Sequence, residues 1–316
     1  MTRNLTEEKI DDFSRTDDPQ EKKPKSGAYL VGVTEQGESP LEAREHLDEL
    51  RELVRTLGFE IVGEAMTAIR VPNAKFYLGS GKAEEVCNAA KQANAELIVF
   101  DTELGSSQQR NLERLARTNA VDRQEIILDI FAERAQTREA VLQVELARYK
   151  YFLPRLTRAW SHLSRQRGGA KGTRGEGEKQ IENDRRMVKY RIGQLEEELA
   201  TVRRQRDVQR KGRIRRAMPL AAIVGYTNAG KSSLLNTLTG ADALVENKLF
   251  ATLDPTTRKL VLPNKSELLL TDTVGFVRKL PHSLVEAFKS TLEEAVLADF
   301  LVMVLDISSP DVESHW

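Results

Sequence analysis

The chain has 316 residues, 40% hydrophobic and 30% charged, with 48 Lys and Arg balanced by 48 Asp and Glu, a size that suits two or three domains with buried cores. No apolar run reaches the ~18 residues that span a bilayer, and the N-terminus lacks the basic-then-apolar pattern of a secretory signal. The single cysteine, Cys87, excludes an intrachain disulfide framework and reads as a small core residue, so a cytoplasmic, monomeric protein with no membrane segment is expected.

Residues 1–27 are polar and mixed in charge, ending in "DDPQEKKPKSG". They carry too little apolar area to offset the entropy of ordering, which predicts a disordered tail. From residue 28 the pattern alternates. "AYLVGVT" reads as a buried strand, "LEAREHLDELRELVRTLG" as an amphipathic helix stopped at Gly58, and "FEIVGEAMTAIRV" as a second strand region. "GKAEEVCNAAKQAN" and "SSQQRNLERLARTN" read as helices on either side of the strand "AELIVFD", and "EIILDIF" as a last strand. Alternating strands and helices over 28–136 predict a small α/β domain with a largely parallel sheet.

Over 137–216 the period changes. Leu142, Leu146, Tyr149, Leu153, Leu156, Trp160 and Leu163 are spaced 4-3-4-3-4-3, and Val188, Ile192, Leu195, Leu199 and Val202 are spaced 4-3-4-3, with Ile181 one heptad earlier. This predicts an antiparallel two-helix coiled-coil arm, with Pro154 breaking the first helix. The loop "RQRGGAKGTRGEGEKQ", 165–180, then lies at the tip, about 35–40 Å from the root if each helix has roughly 25 residues. From Arg155 to Arg216 there are 19 Lys and Arg against 8 Asp and Glu, so a neutral chain carries a segment of net +11. An excess so confined favours a polyanionic partner.

The third region, 217–316, carries the chemistry. In "LAAIVGYTNAGKSSLLNTLTG" the spacing Gly225-x-x-x-x-Gly230-Lys231-Ser232 follows a strand and opens a helix, the setting that a P-loop requires. The backbone from Gly225 through Tyr226, Thr227, Asn228, Ala229 and Gly230 to Lys231, Ser232 and Ser233 is expected to cradle phosphates at the helix N-terminus. Lys231 would meet the β- and γ-phosphates and the Ser232 hydroxyl would ligate Mg²⁺. Downstream, "ELLLTDTVGF" is a strand ending in Asp272-Thr273-Val274-Gly275, which resembles the DxxG motif of the GTPase superclass. That likeness implies that Asp272 holds Mg²⁺ through water and that the Gly275 amide meets the γ-phosphate. Between the two motifs "FATLDPTTRKL" suits a first switch, Phe250-Ala251-Thr252-Leu253-Asp254, with Thr252 chosen as its Mg²⁺ ligand and Thr256 and Thr257 as competitors. "RKLVL" and "ELLLTD" around the turn "PNKS" predict a hairpin. Phe276 follows Gly275 where many GTPases place a water-orienting glutamine, so slow unaided turnover is expected. In potassium-activated GTPases an asparagine at the position of Asn228 helps hold a monovalent cation, which makes K⁺ a candidate activator, the alternative role for Asn228 being to stabilise the loop.

Taken together, "VDRQEIILDIFAERAQTREAVLQVELARYKYFLPRL", the glycine loop with "IENDRR", "GYTNAGKSSLLNTLTG", "FATLDPTTRKL" and "DTVGFVRKLPHSLVEAFKSTLEE" resemble the HflX family of ribosome-associated GTPases, from about residue 28 onward. The resemblance implies GTP and GDP as ligands, Mg²⁺ as cofactor, and GTP-dependent splitting or rescue of ribosomes through the large subunit. It also implies that the glycine loop meets ribosomal RNA, with Arg165, Arg167, Lys171, Arg174 and Lys179 on its phosphates and glycines that allow close approach. Two departures stand out. "GEGEKQIENDRR" differs from the Gly-Glu-Thr that the family usually carries before its Leu-Glu-x-Asp-Arg-Arg run. The guanine-reading Asn-Lys-x-Asp is not in the sequence, which ends at "LVMVLDISSPDVESHW". The fold expected is therefore α/β: an N-terminal α/β domain, the arm, and an incomplete, doubly wound P-loop GTPase domain that binds GTP poorly and separates it weakly from ATP. Two other functions compete: a nucleotide-independent RNA- or ribosome-binding fragment, and a P-loop ATPase or RNA remodeller. "FYLGSGKAEE" reads as a turn into a helix rather than a second P-loop, because Phe76 and Ala83 stand where Gly and Ser or Thr are needed, with a weak contact to nucleic acid or nucleotide as the alternative. His46, His162, His282 and His315 have no metal-ligand spacing.

Overall fold

The computed structural model describes residues 25–156, 174–214, 218–240, 249–250, 253–279, 295–308 and 312. The proposed tail up to residue 24, the seam residues Trp160 and Leu163, the loop cations Arg165, Arg167 and Lys171, and Ala251 and Thr252 of the first switch lie outside the described residues. By contacts, the chain divides into two compact units: 1–44, 58–122 and 149–193 form one, and 45–57, 123–148 and 194–316 the other. Among the described residues no helix is long and apolar enough to cross a membrane.

The first unit is built on a four-stranded parallel sheet. β1 (Lys25–Thr34) pairs with β2 (Phe59–Ala68) and β3 (Leu97–Phe100), and β3 pairs with β4 (Asn119–Asp122), giving the order β2-β1-β3-β4. β1 starts at Lys25, inside the segment expected to be tail. Helices α2 (Ser80–Gln92) and α3 (Ser106–Ala116) cover the sheet, with Val86, Cys87, Ala90, Leu112 and Ala116 packed against Val31, Ile98 and Phe100 in one core. Cys87 is buried within it, and burial pushes its thiol up to about 11, so it is inert packing. Helix α1 (Pro40–Thr56) starts with a reciprocal cap: Glu42 N–H donates to Ser39 Oγ at 3.1 Å and Ser39 N–H to Glu42 Oε2 at 2.8 Å, with Pro40 at the first turn. It is followed by Gly58 at φ 83°.

"EIILDIF" is not a strand. It lies in helix α4 (Arg123–Arg134), which starts directly after β4, and Ile126, Ile127, Leu128, Ile130 and Phe131 are all buried. With every residue from Arg123 to Leu128 buried, the first turns of this helix show no amphipathic period, so its short apolar run imitates a buried strand. Helix α5 (Arg138–Phe152) follows, and a 3₁₀ turn, Leu153–Arg155, breaks it at Pro154 as expected. Leu142 is buried, but Ala140, Val144, Ala147 and Tyr151 are buried too, while Leu146 and Tyr149 are only half-buried. The buried face of α5 is therefore broader than a heptad seam.

Helix α6 (Arg174–Ile214) runs 41 residues, longer than the roughly 25 expected, and takes in residues 174–180 of the predicted tip loop. Gly175 and Gly177 oppose a helix, but Glu176, Glu178, Lys179 and Gln180 favour one, and each residue added to a formed helix gains a hydrogen bond. Its seam matches the spacing: Val188, Leu195 and Leu199 are buried, and Ile192 and Val202 half-buried.

In the second unit the sheet has the order β6-β7-β5-β8, from β5 (Leu220–Gly225), β6 (Thr256–Val261), β7 (Glu267–Asp272) and β8 (Phe300–Val304). β5 is parallel to both β7 and β8, while β6 and β7 form the expected antiparallel hairpin. Lys265, at φ 65°, sits in its turn. Helix α7 (Lys231–Thr239) packs Leu235 on Ala221, Ile223, Leu268 and Leu270.

Candidate nucleotide site

The site forms where β5 and β7 end side by side, with Ile223 paired to Asp272. Gly225 closes β5 at φ 153°, and a Cβ there would stand 2.3 Å from the Val304 carbonyl oxygen, so no side chain fits. Asn228 (φ 62°) and Gly230 (φ 91°) take the two left-handed positions of the loop. Asn is among the few residue types that adopt such a φ readily. Gly230 opens α7, accepting the Leu234 N–H at 2.9 Å.

Lys231 is buried, and its Nζ donates to the Tyr226 carbonyl at 2.5 Å. Burial pulls its ammonium down to about 8, with Asp272 acting in the opposite direction. The Ser232 hydroxyl donates to Asp272 Oδ2 at 2.6 Å, and Asp272 Oδ1 is buried and accepts no hydrogen bond from the described residues. Two oxygens of this kind beside a lysine are hard ligands of the type Mg²⁺ selects. The remaining nucleotide candidates have structural tasks. The Thr273 hydroxyl donates to the Ile223 carbonyl at 2.7 Å, Val274 and Leu253 are buried, and Ser233 is exposed with its carbonyl accepting from Thr237.

Gly275 is pressed against the loop: a Cβ there would meet Thr227 Cα at 2.6 Å and Lys231 Nζ at 2.8 Å. Next to it Tyr226 and Phe276 form a parallel bridge, with Thr227 N–H donating to the Phe276 carbonyl at 2.8 Å and Phe276 N–H to the Gly225 carbonyl at 3.0 Å. The phosphate loop and the segment after Asp272 are thus one hydrogen-bonded unit. The Phe276 ring is half-exposed and offers no hydrogen-bonding group.

Sequence reasoning missed the groups that hold these segments from behind. Arg278 donates from its side chain to Glu45 at 2.6 Å and from its N–H to Glu49 at 3.3 Å. Arg123, itself buried, donates to the other oxygen of Glu49 at 2.5 Å. Tyr226 hydrogen-bonds to Arg278, and burial, with Glu49 nearby, raises its phenol. Glu45 and Glu49 lie one turn apart on α1, the only local hint in the sequence; their partners are too distant in the chain to infer.

Two residues placed in the first switch prove to be docked on helices. The Phe250 ring meets Phe131 of α4 edge-on, centroids 4.6 Å apart. Asp254 Oδ2 accepts the N–H groups of Gln136 and Thr137, both at 3.0 Å, and its Oδ1 accepts the Thr137 hydroxyl. Neither side chain is left for nucleotide. Arg174 and Lys179 lie in α6.

Three family profiles match the chain: a GTP-binding GTPase N-terminal region over 44–132, a GTP-binding GTPase middle region over 134–213, and a 50S ribosome-binding GTPase over 220–315. The GTPase HflX of Akkermansia muciniphila is 55% identical over 296 residues, covering 92% of this chain and 68% of that protein. The GTPase HflX of Escherichia coli K12 is 45% identical over 271 residues, covering 86% of this chain and 63% of that protein. The chain thus spans about two thirds of the length of these relatives. A crystal structure of SsGBP in complex with GDP is 27% identical, with a TM-score of 0.53 over 91% of this chain and 74% of that one.

Proposed function

This chain belongs to the HflX family of GTPases, and we propose on that footing that it binds GTP over the loop 225–233 and hydrolyses it to GDP and phosphate. Its partner in this reading is the large ribosomal subunit, and the outcome is splitting or rescue of ribosomes in the cytoplasm. The observation that carries the reading is the close set of Lys231, Ser232, Asp272 and Gly275 at the ends of β5 and β7.

Each of these residues has a task in phosphoryl transfer. The loop amides and the start of α7 face the phosphates. Lys231 exchanges the Tyr226 carbonyl for a phosphate oxygen, and the anion restores its full charge. Ser232 and Asp272 would hold Mg²⁺, with Asp272 Oδ1 buried and accepting no hydrogen bond from the described residues. A bound Mg²⁺ neutralises charge on the β- and γ-oxygens. Gly275 keeps its N–H close to the loop because no side chain separates them. Phe276 cannot orient water, so the group that speeds hydrolysis comes from elsewhere. Asn228 would bring K⁺ to the same phosphates. Residues 137–216 act as the arm, with Arg165, Arg167, Lys171, Arg174 and Lys179 toward ribosomal RNA.

The test is co-sedimentation of the chain with large ribosomal subunits in a non-hydrolysable GTP analogue and in GDP, beside a variant lacking 168–177, with turnover measured in K⁺ and in Na⁺. The expected result is pelleting that needs both the analogue and the loop, and faster turnover in K⁺. Pelleting indifferent to nucleotide would reduce the chain to an RNA-binding fragment, and equal rates in both cations would remove K⁺.

A further inference from the structure

The outer face of α6 has no task in the reading above. Asp184, Val188, Leu195 and Leu199 are buried along one side of the helix. On the other side Arg186, Tyr190 and Gly193 follow each other at spacings of four and three, and residues so spaced are neighbours on a helix surface. Tyr190 is 70% exposed, and Met187, one turn before it, is 40% exposed. Arg185, Arg186 and Lys189 are exposed beside them in sequence. From Asn183 to Gln194 there are four Lys and Arg against a single acid, Asp184, and that acid is buried. Packing does not explain a ring held in water among these cations. Gly193 is the second unexplained residue. It lies in the interior of a 41-residue helix, where glycine opposes helix formation. Packing does not require it, since a Cβ there would meet nothing within 4 Å, and its backbone is not left-handed. Three residues from Tyr190, it leaves a step beside the ring that an incoming group can reach.

We propose that this face of α6, centred on Tyr190, is an RNA-contact surface on which an unpaired base stacks. It deepens the reading of residues 137–216 as the RNA-facing arm and rests on it. The phenol ring is a stacking platform, which accepts any base because every base has a π-face. Arg185, Arg186 and Lys189 meet the flanking phosphates and release their counterions. Gly193, without a side chain, lets the sugar–phosphate backbone come close to the helix. An acidic peptide would answer the cations and leave the ring and the glycine step unused. A lipid surface would need a broad apolar face, and the apolar residues Val188, Leu195 and Leu199 are buried. The cations of the loop 165–180 hold phosphate by charge, which salt screens; a base stacked on Tyr190 adds a contact that salt does not screen.

The experiment titrates the full chain with labelled single-stranded oligoadenylate over a range of salt, and pellets it with large ribosomal subunits in the non-hydrolysable GTP analogue. The proteins are wild type, Tyr190→Ala, Tyr190→Phe, Gly193→Ala and the double variant Arg186→Ala with Lys189→Ala. Tyr190→Ala should weaken the oligonucleotide by about 5- to 100-fold, the worth of one base stacked on an aromatic ring, with its salt slope unchanged. Tyr190→Phe keeps the ring and should bind as wild type does. The double variant should instead flatten the slope of log K against log salt by about 1.4, two single-strand phosphate contacts at about 0.7 each. Gly193→Ala should raise the melting temperature and weaken the oligonucleotide, a pairing that a merely structural glycine would not give. Pelleting should fall with oligonucleotide affinity. An oligonucleotide bound equally by wild type and Tyr190→Ala, or lost equally by Tyr190→Phe, would overturn the proposal, and wild-type pelleting would then leave the arm its ribosomal reading. If Tyr190→Ala lost pelleting alone, the face would belong to a ribosomal protein, which overturns the RNA assignment too. A wild-type chain that binds neither probe would overturn the reading of the arm, and this surface with it.

Discussion

Replacing Lys231 with methionine should make the nucleotide-free protein more stable while destroying its phosphate site. The ammonium is buried and donates to the Tyr226 carbonyl at 2.5 Å. Burial lowers it from 10.5 to about 8. A depressed base is a penalty on folding at any pH where it is protonated: fully present below the folded value, and fading as pH rises toward the unfolded one. At 1.36 kcal/mol per unit, the penalty is roughly 3 kcal/mol at pH 7 and about 1.4 kcal/mol at pH 9.5. Losing the charged hydrogen bond to Tyr226 returns about 1.5 kcal/mol of that. Lys231→Met should therefore gain about 2 kcal/mol at pH 7 and almost nothing at pH 9.5, since methionine fills nearly the same volume. The assay is urea unfolding of both proteins, stripped of nucleotide, at the two pH values. Other titrating groups, such as Cys87, cancel in the difference. A variant that is less stable at pH 7, or a difference that does not change with pH, would refute the idea that the lysine is held at a cost until phosphate arrives.

Two further outcomes follow from the geometry. Arg155 is buried with Asp122 and donates to Asp122 Oδ2 at 3.2 Å, to Gln109 at 3.1 Å, and to the Leu104 and Tyr151 carbonyls at 2.7 and 3.0 Å; Arg155→Ala leaves Asp122 without its cation and should cost about 3–5 kcal/mol in urea unfolding, and a loss below about 1 kcal/mol would mean that water replaces the guanidinium. Gly275→Ala places a methyl 2.6 Å from Thr227 Cα and should open the phosphate loop, lowering the affinity for GDP and GTP analogue alike by at least about tenfold, whereas a variant binding both as wild type does would show that the segment after Asp272 yields instead of the loop.

The nucleotide site was largely legible because its signals are local. Gly225, Gly230, Lys231 and Ser232 stand within eight residues, between a strand and a helix, and backbone geometry dictates the two glycines. The hairpin β6–β7 was legible for the same reason. "EIILDIF" was not, because the unbroken burial of 123–128 erases the period that separates helix from strand. The glycine loop misled in the other direction: Gly175 and Gly177 mark a loop by composition, but their neighbours extend α6 through them. Phe250 and Asp254 were placed near the nucleotide by their position in the switch, and the side chains turn instead to α4 and α5. Thr137 carries a cap signal that a search for helix starts would find. That its oxygen answers to Asp254, 117 positions later, leaves no local trace.

The ties of Glu45 and Glu49 to Arg278, all within the second unit, have a consequence for how this chain is made. Arg278 donates its N–H to Glu49 across 229 positions, and Phe131 waits for Phe250. A chain that grows by about 5–20 residues per second leaves Glu49 without Arg278 for about 10–50 s. Phe131 of α4 waits about 6–24 s for Phe250, 119 positions later, at the same rate, and the early segments must be kept from pairing with the wrong surface. The turn at Val277 and Arg278 therefore closes on helix α1, made long before it, as one of the contacts that must wait for the later part of the chain.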